Sequence, residues 1–172
     1  GLMPHSLWRP VVMLALMGAV YAAGYPMNAT VAMLAIVAAI WLTTLLQLVA
    51  WMTLLTWVSI MAAAFLRNRE WTPAGMKLGL SNRDHLPDAT PLGARAVRAA
   101  SNTQENFMLF VALALTAHAV GADQQATLGA QVFFWARLVY LPVYWAGITY
   151  VRSLIWAAGT VGLALMLLAI LP

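Results

Sequence analysis

The longest uncharged stretch of this sequence runs from Val11 to Leu66, without a single Asp, Glu, Lys or Arg. A membrane-spanning helix needs about 20 apolar residues, so the stretch holds two such helices more comfortably than three. The chain is 63% hydrophobic and 8% charged, whereas a soluble domain carries about 25% charged residues. Long apolar runs, rather than short alternating ones, indicate helices. We therefore predict an all-α integral membrane protein.

The apolar stretch contains one clear breaker, the sequence GYPMN from Gly24 to Asn28. It leaves a short first helix and a second run, Val31 to Leu66, that is too long for one span. Two explanations stay open. Either the second helix tilts and projects beyond the bilayer, or a further break lies between Trp41 and Gln47.

Basic residues concentrate around one long polar loop, residues 67–91. The later turn at residues 121–125, GADQQ, has no Lys or Arg, so the positive-inside rule predicts that the long loop is cytoplasmic. This rule also explains the net charge of +4, and we expect no nucleic-acid partner. The loop should hold little regular structure beyond a short amphipathic segment. Six of the nine basic residues lie in or beside it: Arg67, Arg69, Lys77, Arg83, Arg95 and Arg98.

The remaining apolar runs predict helices at roughly 92–120, 126–145 and 151–171. The total is five spans, arranged as an N-terminal extension with one extra transmembrane helix (residues 1–42) and a four-helix domain (residues 43–172). Because consecutive helices run antiparallel, the start of one, the end of the next and the start of the last share the cytoplasmic side.

Polar side chains gather at that shared side. Helical spacing of three and four residues places each group on one helix face, and ionisable residues at membrane depth are usually paired and functional. One carboxylate faces three arginines there, and the excess of guanidinium indicates an anionic ligand with carboxylates. The groups are Arg98, Asn102 and Glu105, then Arg137, Tyr140 and Tyr144, then Arg152 and Ser153.

Each residue taken singly also has a structural explanation. Glu105 and one arginine could form an interhelical clamp, Arg137 could reach toward the membrane surface, and the tyrosines could belong to an interfacial aromatic belt. The chain has no Cys, so any thiol must come with the substrate, and its three His are scattered without metal-ligand spacing.

The polar groups resemble the MAPEG family, the membrane-associated proteins of eicosanoid and glutathione metabolism, and most closely its bacterial branch. The resemblance covers about Thr43 to the C-terminus. It implies a four-helix protomer that forms a homotrimer in a bacterial inner membrane, with glutathione as cosubstrate, bound between neighbouring protomers near the cytoplasmic face. The matching motifs are Arg98-x3-Asn102-x2-Glu105-x-Phe107, Arg137-x2-Tyr140-x3-Tyr144 and Arg152-Ser153, together with the loop segment LGLSNRD at 78–84.

The resemblance also implies residue roles. The first group would hold the polar backbone of glutathione, and the second would contact its carboxylates and peptide groups. Arg152, with Ser153, would stabilise the thiolate, since a nearby guanidinium lowers a thiol pKa. Arg67 would correspond to the basic residue that ends the family's first helix. The sequence departs from the family at Ser101, where another basic residue is common, and at Tyr140, where some members have His.

Two functions follow, and the sequence leaves both open. The first is a glutathione-dependent membrane transferase or peroxidase that takes a lipophilic electrophile from the surrounding lipids. The alternative is a non-catalytic subunit that keeps the fold and serves assembly of a larger membrane complex. A transporter is a third, weaker interpretation, because no line of polar residues connects His118 and Asp123 to the cytoplasmic groups.

Overall fold

The computed structural model describes residues 31, 43–83 and 86–171. The chain divides into two units between Thr43 and Thr44, and the helices named here belong to the second unit. Within the described residues the structure has no β-strand, which agrees with the predicted all-α class. The helices are α1 (Leu45–Asn68), α2 (Pro73–Gly79), α3 (Pro91–Ala119), α4 (Asp123–Ala146) and α5 (Thr149–Ile170).

The helix α1 begins inside the long uncharged stretch, at Leu45. Thr44 is the N-cap: its side chain accepts a hydrogen bond from the Gln47 backbone, and the Gln47 side chain accepts one from the Thr44 backbone. This reciprocal capping box satisfies two N–H groups that a helix start leaves free. Of the two explanations that the sequence left open, this helix start favours a break between Trp41 and Gln47. The one extra transmembrane helix expected in residues 1–42 lies outside the described residues, apart from residue 31.

The long polar loop contains one short helix. α1 ends where Arg69 adopts a left-handed conformation, with φ of 56°. Thr72 then caps α2 by accepting a hydrogen bond from the Gly75 backbone, and Pro73 occupies the first helical turn, where its missing N–H is not needed. Hence residues 67–91 hold the short helical segment that the sequence suggested, flanked by turns.

Close backbone contact fixes the start of α3 against the end of α1. Thr90 caps α3 through the Gly93 backbone, again with a proline, Pro91, in the first turn. A Cβ on Gly93 would lie 3.1 Å from the Cα of Arg67, so a larger residue would push the two helices apart. The N-terminal part of α3 thus lies beside the C-terminal part of α1.

Helices α4 and α5 form the most extensive contact of the bundle. The chain reverses between them at Gly147, whose φ of 82° suits glycine. Farther along, Gly129 of α4 faces Gly162 of α5, and a Cβ on Gly129 would lie 2.6 Å from the Gly162 oxygen. The two backbones approach this closely because neither residue has a side chain.

The main buried apolar cluster combines residues of α1, α3, α4 and α5. Its centre is a stacked pair, Phe110 of α3 and Phe133 of α4, with ring centroids 4.8 Å apart. Both rings are fully buried, together with Met52 and Met166. At the turn between α3 and α4, the His118 Nδ1 lies 3.0 Å from both carboxylate oxygens of Asp123 and links the two helices.

Three of the described helices are long and apolar enough to cross a membrane: α1, α4 and α5. α3 has the length, at 29 residues, but polar and charged residues occupy its first half. The predicted bounds of α3 and α5 agree with the structure to within two residues, whereas α4 begins three residues earlier than expected. A helical membrane bundle is therefore confirmed.

Candidate functional site

A cavity of about 450 Å³ lies where the N-terminal half of α3, the C-terminal half of α4 and the start of α5 meet. This volume falls within the roughly 300–1,000 Å³ of small-molecule sites. Seven of the nine residues proposed from the sequence line it, and two others join them. The lining residues are Arg98, Ser101, Asn102, Glu105, Tyr140, Tyr144, Arg152, Ser153 and Trp156.

The α3 wall of the cavity is one face of a regular helix. Arg98, Ser101, Asn102 and Glu105 follow one another at steps of three, one and three residues, which keeps them within one stripe. Their nearest neighbours on the opposite face, Ala99 and Ala100, are buried against other helices. Because the small residues face inward, α3 packs closely and its polar stripe faces the cavity.

The aromatic side chains of α4 form the second wall and hold the arginine of α5. The rings of Tyr140 and Tyr144 meet edge to face with centroids 5.4 Å apart. The guanidinium carbon of Arg152 lies 4.9 Å from the centroid of the Tyr144 ring, within the range of a cation–π contact. This contact positions the Arg152 guanidinium at the cavity while leaving its N–H donors available.

Ser153 is placed differently from its neighbour. Its Oγ donates a hydrogen bond to the Thr149 carbonyl, at 3.2 Å, one turn back along α5. A hydroxyl has a single hydrogen to donate. While this bond persists, Ser153 can only accept a hydrogen bond from a ligand, and a ligand anion needs donors.

The charges that line the cavity are not paired with one another. Glu105 accepts a hydrogen bond from the Ser101 hydroxyl at 3.1 Å. In the part of the chain that the structure describes, neither Arg98 nor Arg152 has a carboxylate within 4.0 Å. The cavity therefore offers two guanidinium groups and one carboxylate to a ligand, and no interhelical Arg–Glu clamp forms among the described residues.

Arg137 belongs to the site without lining it. The side chain is only 1% exposed, and its Nη1 donates a hydrogen bond of 2.8 Å to Asn102 Oδ1. Its guanidinium carbon lies 5.2 Å from the Phe133 ring centroid and 5.1 Å from that of Tyr140. Arg137 thus lies behind the cavity wall, between α4 and α3, where it does not reach the surface of the protein.

Arg67 is the one predicted residue that the structure places elsewhere. Its Nη2 donates to the Pro87 carbonyl at 2.7 Å. It lines a second cavity of about 230 Å³, formed by the end of α1, the helix α2 and the segment around Asp88. The two cavities share no lining residue. In the single chain, Arg67 does not join the other predicted residues.

Two lining residues were not among the predicted site residues. Ser101 stands where a basic residue was expected from the family pattern, and its spacing of four from Glu105 could have indicated their hydrogen bond. Trp156 lies one turn after Arg152 and is 44% exposed. Its spacing from Arg152 places both on one face of α5.

No group of three His, Cys, Asp or Glu side chains that could hold a metal ion occurs in the described ranges. The cavity presents guanidinium and amide donors, one carboxylate and aromatic side chains.

Comparison with known proteins decides the family. The model of the MAPEG family matches residues 42–172, which includes every helix described above. The chain belongs to the MAPEG family. No curated protein and no solved structure matches the chain. The resemblance noted in the sequence is thereby confirmed at the family level.

MAPEG membership gives the cavity its context. The family is one of membrane proteins associated with glutathione, and a helical membrane domain is what the structure contains. In this MAPEG domain the three polar groups recognised in the sequence meet at one end of α3, α4 and α5. The residues before 42 lie outside the matched range.

Proposed function

We propose that this protein is a glutathione-dependent membrane transferase or peroxidase that acts on a lipophilic electrophile. Glutathione occupies the cavity between α3, α4 and α5. Its carboxylates bind the guanidinium group of Arg98 and the N–H donors beside it, its amine binds Glu105, and Arg152 is left for the sulfur. The charges support this assignment, because unpaired guanidinium groups and one carboxylate complement a molecule with two carboxylates and one amine.

The observation that carries the proposal is the placement of Arg152. Its guanidinium lies against the Tyr144 ring at the cavity, with no carboxylate within 4.0 Å among the described residues. A fixed cation without a counter-ion stabilises an anion beside it, and for a thiol this raises the ionised, nucleophilic fraction. Arg152 therefore activates the glutathione sulfur, and the thiol proton passes to water.

The second substrate approaches along α5. Trp156 lines the cavity and is also partly exposed, and Leu154 on the same helix is 71% exposed. In a membrane this apolar surface meets lipid tails, so a lipophilic electrophile reaches the sulfur without crossing water. The thiolate then attacks the electrophilic carbon, a sulfur–carbon bond forms, and the leaving group departs with the electron pair of the bond that breaks.

Assembly and orientation complete the proposal. The protein acts as a homotrimer, and the loop 67–91 faces the cytoplasm. In a homotrimer, Arg67 of one protomer is available to a neighbouring site, which would reconcile its position in a separate cavity with the role expected from the sequence.

The decisive test is glutathione binding to purified protein, with the thiolate followed by ultraviolet absorbance. The wild-type protein should bind glutathione and show the thiolate signal. In Arg152→Ala the thiolate signal should fall at least about tenfold, because the cation beside the sulfur is removed. This corresponds to a loss of about 1.4 kcal/mol in the stabilisation of the thiolate. Arg83→Ala is the matched control: this arginine lines neither cavity, and the signal should stay.

An unchanged thiolate signal in Arg152→Ala would reject Arg152 as the activating residue. A wild-type protein that binds no glutathione and co-purifies in a larger membrane complex would instead favour the non-catalytic subunit.

A further inference from the structure

The buried arginine behind the cavity has no charge partner that explains it. Arg137 is 1% exposed, and no carboxylate lies within 4.0 Å of it in the described residues. Its Nε and Nη2 are buried and donate to no described group. Burying a guanidinium without a counter-ion is costly. A functional role for Arg137 would explain this cost, and among the described residues its side chain donates one hydrogen bond, to Asn102.

That hydrogen bond determines which way the Asn102 amide faces. An asparagine side chain carries an acceptor, Oδ1, on one branch and two donors, on Nδ2, on the other, whereas a guanidinium can only donate. Arg137 must therefore be met by Oδ1, as the 2.8 Å contact shows. The Nδ2 branch is turned away from Arg137, and the amide cannot rotate by half a turn without losing the bond.

The Nδ2 group that results is available to a ligand. Asn102 lines the cavity. Its Nδ2 donates to no described group, yet it is not among the buried atoms that lack a partner. The Asn102 Nδ2 is therefore an accessible donor that can form a hydrogen bond with a ligand in the cavity.

Neighbouring side chains restrict the Arg137 guanidinium, so that it can hold the Asn102 amide in one orientation. Its carbon lies 5.2 Å from the centroid of the Phe133 ring and 5.1 Å from that of the Tyr140 ring. On the α5 side, Gly159 leaves it room, since a Cβ there would lie 3.6 Å from the Arg137 Nε. Contacts with these two rings and with the neighbouring helix restrict the directions in which the N–H groups can point.

We propose that Arg137 is a positioning residue that fixes the Asn102 amide so that Nδ2 faces the cavity, which makes this wall selective for a hydrogen-bond acceptor on the ligand. The inference rests on the proposed function, where the acceptor is a carboxylate or peptide carbonyl of glutathione. Arg137 does not touch the ligand. Without Arg137 the Asn102 amide is free to rotate, and either its Oδ1 acceptor or its Nδ2 donor can then face the cavity.

The experiment is a double-mutant cycle on glutathione affinity, measured by calorimetry. Asn102→Leu removes the donor, and glutathione should bind about tenfold more weakly, as for one lost hydrogen bond to a charged group. Arg137→Met should weaken glutathione binding several-fold, and by no more than Asn102→Leu does. The double variant should be no weaker than Asn102→Leu, because both changes act through one donor. Arg137→Lys keeps the charge and a donor and should recover part of the affinity.

Arg95→Met is the matched control. Arg95 also joins α3 to α4, through a 2.9 Å hydrogen bond from its Nε to the Trp145 carbonyl, but it does not line the cavity. Its loss should leave glutathione affinity within about twofold. If Arg137 acted on glutathione affinity independently of Asn102, the factors of Arg137→Met and Asn102→Leu would multiply in the double variant, and that result would overturn the proposal.

A further variant keeps the test decisive if Arg137→Met does not fold. Asn102→Asp retains an acceptor for Arg137 and replaces the Nδ2 donor by a carboxylate oxygen. We expect its thermal stability to be kept and glutathione binding to fall at least a hundredfold. Glutathione binding at the wild-type level would overturn the inference. Absence of binding in the wild type would instead end the proposed function.

Discussion

At the scale of single residues, Ser153 and Arg152 are neighbours with different chemical capacity. The Ser153 hydroxyl donates to the Thr149 carbonyl of its own helix, so its hydrogen is already used. We predict that Ser153→Ala changes the glutathione thiolate signal by less than about twofold, because the net value of that internal hydrogen bond is small. Titration of glutathione into both proteins, followed by ultraviolet absorbance, checks this.

The outcome separates two ways of stabilising a thiolate. If Ser153→Ala lost the signal as fully as Arg152→Ala, the hydroxyl would have to rotate away from Thr149 when the ligand binds. Ser153 would then be a donor to sulfur. Cysteine at position 153 would be a poor substitute for this test because it adds a thiol to a chain that has none.

Helical spacing predicted most of the cavity but not the depth of Arg137. Arg137, Tyr140 and Tyr144 share one face of α4, as expected, yet only the two tyrosines line the cavity. Helical side chains lean toward the helix N-terminus. In α4 this direction leads away from the cavity end and carries the guanidinium to the Phe133 ring. Residue spacing predicts which face of the helix a side chain occupies. How far the end of a long side chain extends along the helix axis depends on its length and on its neighbours.

Arg67 shows a second limit of sequence reasoning. The family pattern grouped it with the other arginines, but its hydrogen bond goes to Pro87, which lies twenty positions later in an irregular segment. No periodicity encodes the path of such a segment, because its conformation depends on local turns rather than on a repeated pattern.

At the scale of helices, the contact between α4 and α5 depends on two glycines. A Cβ on Gly162 would lie 2.7 Å from both the Gly129 oxygen and the Phe133 nitrogen. These are backbone atoms, which cannot move aside as a flexible side chain can. We predict that Gly162→Ala destabilises the protein by about 1–3 kcal/mol. Thermal unfolding in a fixed detergent checks the size of this effect.

Ala164→Val is the control for that change. It enlarges a residue two positions later on α5, on an exposed part of the helix. Because a lipid-facing side chain has room, the midpoint of thermal unfolding should shift little. An equal loss of stability in both variants would mean that α5 tolerates no added volume anywhere, and the special role of the glycine contact would be disproved.

Helix ends were predictable where a cap or breaker is written in the sequence. The Thr–Pro pairs at 72–73 and 90–91 start α2 and α3, and Gly147 ends α4. The earlier start of α4 was missed because Asp123, Gln124 and Gln125 look like a polar turn. In the structure, Asp123 instead occupies the first turn of α4, where a carboxylate interacts favourably with the positive end of the helix dipole.

At the scale of the whole molecule, the single chain leaves charged groups on its surface. Arg98 and Glu105 are exposed on α3, just before the apolar half that crosses toward the other end of the bundle. A charged side chain that faces lipid costs several kcal/mol. Water, a ligand or another protein surface must therefore cover this stripe, whose residues also line the cavity.

We predict that three copies associate around this stripe, so that native mass spectrometry of the detergent-solubilised protein reports a mass of three chains. The physical reason is that neighbouring protomers shield Arg98 and Glu105 from lipid while leaving the cavity accessible. Diluting the protein at constant detergent is the control, because chance occupancy of one micelle falls with protein concentration and a specific trimer persists. A monomer that still binds glutathione at every dilution would show that each cavity is complete in one chain, and Arg67, which lies in a separate cavity of the same protomer, would then have no part in binding.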